Sequence, residues 1–132
     1  MATQRYVSTS FWQDPWVLDE LSSDERYTYL YLLTAPGSNI AGVYELSIKT
    51  AEMHTGFDRD QLTKIFRRFE EAGKAFYYGR YVIIPTWPKH QRYDERQSIK
   101  DGIIKVLKNL PESVWKKVCS VDYQFPLSQV DR

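Results

Sequence analysis

Apolar positions along the chain fall into short runs of helical period separated by brief alternating stretches. In "LDELSSDERYTYLYLLTAPGSN", Tyr27, Leu30, Tyr31 and Thr34 recur at helical spacing, and Leu33 widens the stripe. Ser22 with Glu25 three residues on forms a capping box that starts this helix, and "APGSN" stops it. "IAGVYEL" alternates and predicts a brief strand. Ser47 caps a second helix, "SIKTAEMHTG", with Ile48, Ala51 and Met53 as its expected buried positions and Gly56 as its end. A third helix begins at Asp58, with Gln61 as capping-box partner and Phe57 and Leu62 as a hydrophobic staple. Leu62, Ile65, Phe66 and Phe69 stand at i, i+3, i+4 and i+7 and predict its buried face, and Gly73 ends it. "KAFYY" and "YVIIPTW" flank Gly79-Arg80, a two-residue connection with glycine first that suits a type II′ hairpin turn.

The predicted order is therefore helix, strand, helix, helix, hairpin. The second and third helices are joined only by "HTGF", which is the pattern of a helix-turn-helix, and a hairpin directly after it makes the motif winged. Two further helices follow. The first places Ile99, Ile103, Val106, Leu107 and Leu110 on one side; the second starts at Pro111 and offers Val114, Trp115 and Val118. The expected class is mostly α (α+β): a winged helix-turn-helix with a short two-stranded wing and a C-terminal helical extension. The expected divisions are 1–92 for the winged domain, 93–120 for the extension and 121–132 for an irregular tail.

Composition narrows the function classes. The 132 residues suffice for a hydrophobic core, and ten Tyr, six Phe and four Trp supply large rings to fill it or to build a partner surface. A lone Cys119 excludes an internal disulfide and fits a reducing cytoplasm, and no apolar run is long enough to span a bilayer. The expected setting is cytoplasmic, with no membrane partner. Net charge is only +1, so bulk basicity is not the signal; its distribution is. Asp14, Asp19, Glu20, Asp24 and Glu25 crowd one segment, whereas Arg59, Lys64, Arg67 and Arg68 face a single acid, Asp60, in another.

With the apolar stripe of the third helix buried, Arg59, Thr63, Lys64 and Arg67 are left exposed and Arg68 lies at the flank. Arginine holds guanine through two hydrogen bonds, lysine holds phosphate as a point charge, and the N-terminal half of such a helix commonly meets base edges. These residues are the candidate DNA contacts. Against them stands an ordinary solvated face, its charge absorbed by Lys64–Glu71 or Arg67–Glu71 pairs. Lys49 and Thr50 begin the second helix, where a phosphate can meet free amides, and Arg80 at the hairpin tip is an auxiliary contact. Lys89, His90, Arg92, Arg96 and Lys100, interleaved with Tyr93, offer a lesser single-strand reading, so duplex is the favoured form of DNA.

Catalytic readings find little to stand on. His54 and His90 lie far apart without a ligand cluster, Cys119 has Lys116 and Lys117 nearby but no base, and Gly73-Lys74 lacks the spacing of a phosphate loop. No cofactor, metal or enzymatic activity is expected.

Four segments in this order, "RYVSTSFWQDP", "SSDERYTYLYLLT", "NIAGVYELS" and "IIPTWPKHQ", resemble the N-terminal winged-helix domain of phage replisome-organiser proteins. These are relatives of the DnaD-like replication initiation proteins of Gram-positive bacteria. The resemblance covers residues 5–92 and continues more weakly through 98–110. It implies a role in starting DNA replication: binding origin DNA, self-association into a homo-oligomer, and recruitment of the replicative helicase or its loader. Two alternatives stay open: a homo-oligomerisation or helicase-docking module without direct DNA binding, and a winged-helix transcriptional repressor. The aromatic "SFWQDPW" start either folds back on its own core or is exchanged between subunits.

Overall fold

The hydrophobic stripes and caps of the sequence resolve, in a computed structural model, into a mostly helical α+β chain with a small three-stranded antiparallel sheet. The structure describes residues 3–132. The chain divides into two compact units, one ending at Ser38 and one spanning Asn39–Arg132. The boundary expected at 92/93 falls inside the second unit.

In the first unit a 3-10 turn, Thr9–Gln13, and a π-type turn, Trp16–Glu20, lead to helix α1, Ser23–Thr34. The capping box is formed as expected: Glu25 N–H donates to Ser22 Oγ at 3.2 Å and Ser22 N–H donates to Glu25 Oε1 at 2.8 Å. The aromatic start folds back on this helix. Phe11 stacks on Tyr29 with centroids 6.1 Å apart, and Trp16 meets Tyr29 edge-on at 5.1 Å. Burial, and then the charge of Asp14, pushes the Tyr29 phenol up to about 12. Arg26 closes the π-type turn, donating to the Val17 carbonyl at 2.9 Å and the Leu18 carbonyl at 2.8 Å. The buried face of α1 is Thr28, Tyr29, Leu32 and Leu33, while Tyr27 is exposed, so the expected stripe was out of phase. The run "YTYLYLL" is apolar almost all round, and spacing cannot choose a face when nearly every position qualifies.

The second unit is built around the sheet. Strands β1 (Val43–Glu45), β2 (Phe76–Tyr78) and β3 (Tyr81–Ile83) lie in the order β1-β3-β2, with Val43, Ile83 and Phe76 in register. The hairpin is thus not a free pair of strands, since β1 completes its edge. Gly79 and Arg80 have φ of 57° and 67°; two positive values mark a type I′ turn, which replaces the expected type II′. Alternation along the strands splits the rings between two faces. Tyr77 turns toward helix α3 (Arg59–Glu71), its ring 5.2 Å from that of Phe66. Phe76, Tyr81, Val43 and Ile83 turn the other way, into a cluster with Ile103, Leu107, Val114 and Val118. These last come from helices α5 (Gln97–Lys108) and α6 (Glu112–Ser120), which follow a short helix α4, Trp87–His90. The sheet is therefore covered on both faces. Lys117 reaches back to the hairpin, its ammonium 5.4 Å from the Phe76 ring and 5.5 Å from that of Tyr78.

Gly42 is required where β1 begins. Its φ is +70°, and a Cβ there would come within 2.5 Å of Trp87 Cβ and 3.1 Å of the Ile84 carbonyl oxygen. Residues 121–132 hold one 3-10 turn, Leu127–Gln129, and they are not a loose tail. Tyr123, Phe125 and Val130 are buried, and Phe125 meets Tyr93 edge-on at 4.9 Å. Arg132 donates to the carbonyls of Leu107 and Leu110, at 2.9 and 2.8 Å, and sits over the Trp115 ring. The Tyr123 hydroxyl donates to the Ala41 carbonyl at 2.6 Å, and burial holds its phenol well above the usual range. Because Ala41 is fully buried, Tyr123→Phe strands a carbonyl away from water. The expected loss is about 1–3 kcal/mol by urea denaturation. An unchanged midpoint would mean that the tail adds no stability through this bond.

Candidate nucleic-acid interface

Helix α2, Ile48–Thr55, is capped by Ser47 and ends at Gly56, whose φ of 80° lets the chain reverse. Its N–H donates to the Glu52 carbonyl at 2.9 Å, while the Thr55 hydroxyl donates to the Ala51 carbonyl at 2.7 Å and accepts from Phe57 N–H at 3.2 Å. The joint between α2 and α3 is thereby closed by its own hydrogen bonds. Ala51 is buried as expected; Met53 is not, being 77% exposed. Helix α3 opens with the reciprocal bonds of Asp58 and Gln61, at 2.9 and 3.1 Å. Its buried residues are Leu62, Ile65, Phe66 and Phe69, the four that periodicity selects.

Arg59, Thr63, Lys64, Arg67 and Arg68 are all exposed on α3, with Lys64 and Arg67 opposite the buried stripe and Arg59 near its edge. Arg59 is turned toward α2, with Nε 4.0 Å from Glu52 Oε1 and 68% of its side chain exposed. Such an open pair contributes little to stability, but it brings an acid beside the first candidate contact. Lys64 and Arg67 make no ion pair among the described residues, so the Glu71 partners weighed against DNA contact are not engaged with them.

Among the auxiliary candidates, Lys49 is exposed on α2. Thr50 is committed to the helix cap, its N–H donating to Ser47 Oγ at 3.1 Å and its hydroxyl accepting from the Ser47 hydroxyl at 2.8 Å. An amide expected to be free for phosphate is thus already satisfied. Arg80 occupies the hairpin tip in left-handed backbone, a conformation that costs a side-chain-bearing residue about 1–2 kcal/mol.

Periodicity did not single out Tyr77, although it joins these elements. Its hydroxyl donates to the Leu46 carbonyl at 2.5 Å, and Leu46 N–H donates to the Arg80 carbonyl at 2.8 Å. Burial raises the Tyr77 phenol; the charges of Arg80 and then Arg59 oppose that rise, and Glu45 adds to it. Two cations that are 21 positions apart in the chain therefore act on one hydroxyl. The signal available in sequence was the strand phase of "FYYGRY", which turns Tyr77 away from Phe76 and Tyr78.

The second basic stretch is less open to nucleic acid than its composition implies. Arg92 pairs with Glu95 at 3.8 Å, and the Tyr93 ring is taken up by Phe125. A cleft of about 470 Å³ beside them is lined by Lys89, Tyr93, Phe125 and Pro126, but also by Asp94 and Asp122, whose charge repels phosphate.

Among the described residues, no group of three or more His, Cys, Asp or Glu is arranged to hold a metal ion. No described helix is long and apolar enough to cross a membrane. Comparison with protein-family models, with characterised proteins and with solved structures finds no match to this chain in any of the three.

Proposed function

We propose that this chain is a cytoplasmic DNA-binding and assembly module that acts in the initiation of phage or bacterial DNA replication, built as a winged helix-turn-helix. The observation that carries the DNA-binding reading is the division of α3: four apolar residues buried, and Lys64 and Arg67 exposed without an ion pair among the described residues. The order α1-β1-α2-α3-β2-β3, the short hydrogen-bonded joint before α3 and the pairing of β1 with β3 support the winged fold. The assignment to replication rests on the resemblance of residues 5–92 to replisome organisers.

Labelled duplex and single-stranded DNA titrated with the protein across a salt series test this function. Expected is duplex affinity that falls steeply with salt and exceeds that for single strands. A folded protein that binds neither at low salt overturns DNA binding. Tight binding confined to one palindrome would instead indicate a repressor. A second reading, self-association, draws on the first unit, where Tyr6, Trp12, Leu18 and Tyr27 are exposed at 87, 55, 47 and 49%. Sedimentation at rising concentration reads it directly.

Arg80 provides a sharper check. Replacing it by glycine relieves left-handed strain at the cost of a more flexible unfolded chain, a net gain of about 0.5–1 kcal/mol. The variant is expected to melt slightly higher and to bind duplex more weakly. Unaltered affinity would remove the hairpin tip from the interface.

A further inference from the structure

We propose that Tyr77 is a positioning residue for DNA contact, holding the hairpin tip that carries Arg80 and the helix that carries Lys64 and Arg67 in one fixed arrangement. The inference rests on the DNA-binding function proposed above and adds a residue that itself touches no nucleic acid.

One residue, Leu46, pins both arms of the hairpin. Its carbonyl accepts from the Tyr77 hydroxyl on β2, at 2.5 Å, and its N–H donates to the Arg80 carbonyl within the turn, at 2.8 Å. Gly79 and Arg80, the two residues of the turn, both hold left-handed φ values. Left-handed backbone at a non-glycine residue persists only where its surroundings over-determine it, and the Leu46 bridge does so here. The same Tyr77 ring packs on Phe66, on the buried side of α3, while Lys64 and Arg67 stand on the other side. Through Leu46, the Tyr77 side chain therefore links the backbone of the tip to the helix. Rigid placement of this kind reduces the ordering cost of binding, because fewer side chains and loops must be immobilised on contact.

The test uses the full chain in four forms: wild type, Tyr77→Phe, Arg80→Ala and the double variant. Each is titrated against a short random-sequence duplex, with far-UV circular dichroism to confirm folding and amide hydrogen exchange read at Leu46. Tyr77→Phe keeps the ring on Phe66 and removes only the hydroxyl. Expected are a native spectrum, faster exchange of the Leu46 amide, and duplex affinity about three- to tenfold weaker, the scale of one lost hydrogen bond. In the Arg80→Ala background the same change is expected to alter affinity less than about twofold, since the positioned cation is gone.

Equal losses in both backgrounds would show general loosening and overturn the positioning role. So would unchanged affinity in Tyr77→Phe despite faster exchange at Leu46. Absence of duplex binding by the wild type defeats the DNA-binding function itself, and the positioning role with it, which is a distinguishable result. Should Tyr77→Phe fail to fold, Phe66→Leu removes the ring contact while leaving the hydroxyl in place, and its coupling to Arg80→Ala decides between the same outcomes.

Discussion

Lys64→Glu combined with Arg67→Glu is expected to weaken duplex binding by roughly a hundredfold or more, each lost contact costing about 1–3 kcal/mol and each new carboxylate repelling phosphate. Both side chains are exposed in α3, away from the buried stripe of Leu62, Ile65, Phe66 and Phe69, so the helix keeps its packing. The melting temperature should therefore stay within a few degrees of wild type, because surface substitutions of this kind usually change stability by about 0.5 kcal/mol or less. The salt dependence supplies an independent readout. Two phosphate contacts removed should lower the slope of log K against log salt by about 2 units. Fluorescence anisotropy at several salt concentrations measures both. A folded double variant that binds as well as wild type, with the same slope, would place the contact surface elsewhere.

Phe66→Ala is expected to act in the opposite sense, through the fold and not through charge. Phe66 is 6% exposed, and its ring lies 5.2 Å from Tyr77 at an interplanar angle of 44°. Truncation removes a large ring from between α3 and β2 and leaves a cavity that rigid neighbours fill only in part. The expected cost is about 3–5 kcal/mol. Against a typical domain stability of about 5–15 kcal/mol, that is a large share. Urea denaturation followed by circular dichroism checks the value. A loss below about 1 kcal/mol would mean that the α3–hairpin contact is loosely packed and cannot fix the position of either element.

These two variants separate the packing of α3 from its proposed contact with DNA, and α3 is also where sequence and structure agree most closely. Its cap, its buried face and its end at Gly73, with φ of 70°, were all legible from spacing and residue type. The α2–α3 joint was equally readable, since Ser47 and Gly56 carry their backbone conformations almost regardless of context. Helix α1 was readable as a helix but not in its orientation, because its apolar residues surround the axis. Met53 misled for a related reason: in the eight residues of α2 the apolar pattern is too short to locate a face with certainty of one position.

Legible without the fold were the features set within a few residues: caps, the places of the glycine turns, strand alternation and the division of α3 into an apolar and a basic side. These follow from backbone sterics and from the i to i+4 geometry of a helix, which need no distant partner. Everything else waited for the whole chain to pack. Packing drew β1 onto β3 across Val43 and Ile83, put the 121–132 segment against Ala41 and Leu107, and set Glu52 beside Arg59. It also brought Leu46, Tyr77 and Arg80 into one hydrogen-bonded corner. Each of these contacts joins residues that local rules leave independent. Hydrophobic burial is non-directional, so it favours collapse without naming partners; which groups meet is settled only when the whole chain packs and its buried polar groups must find one another.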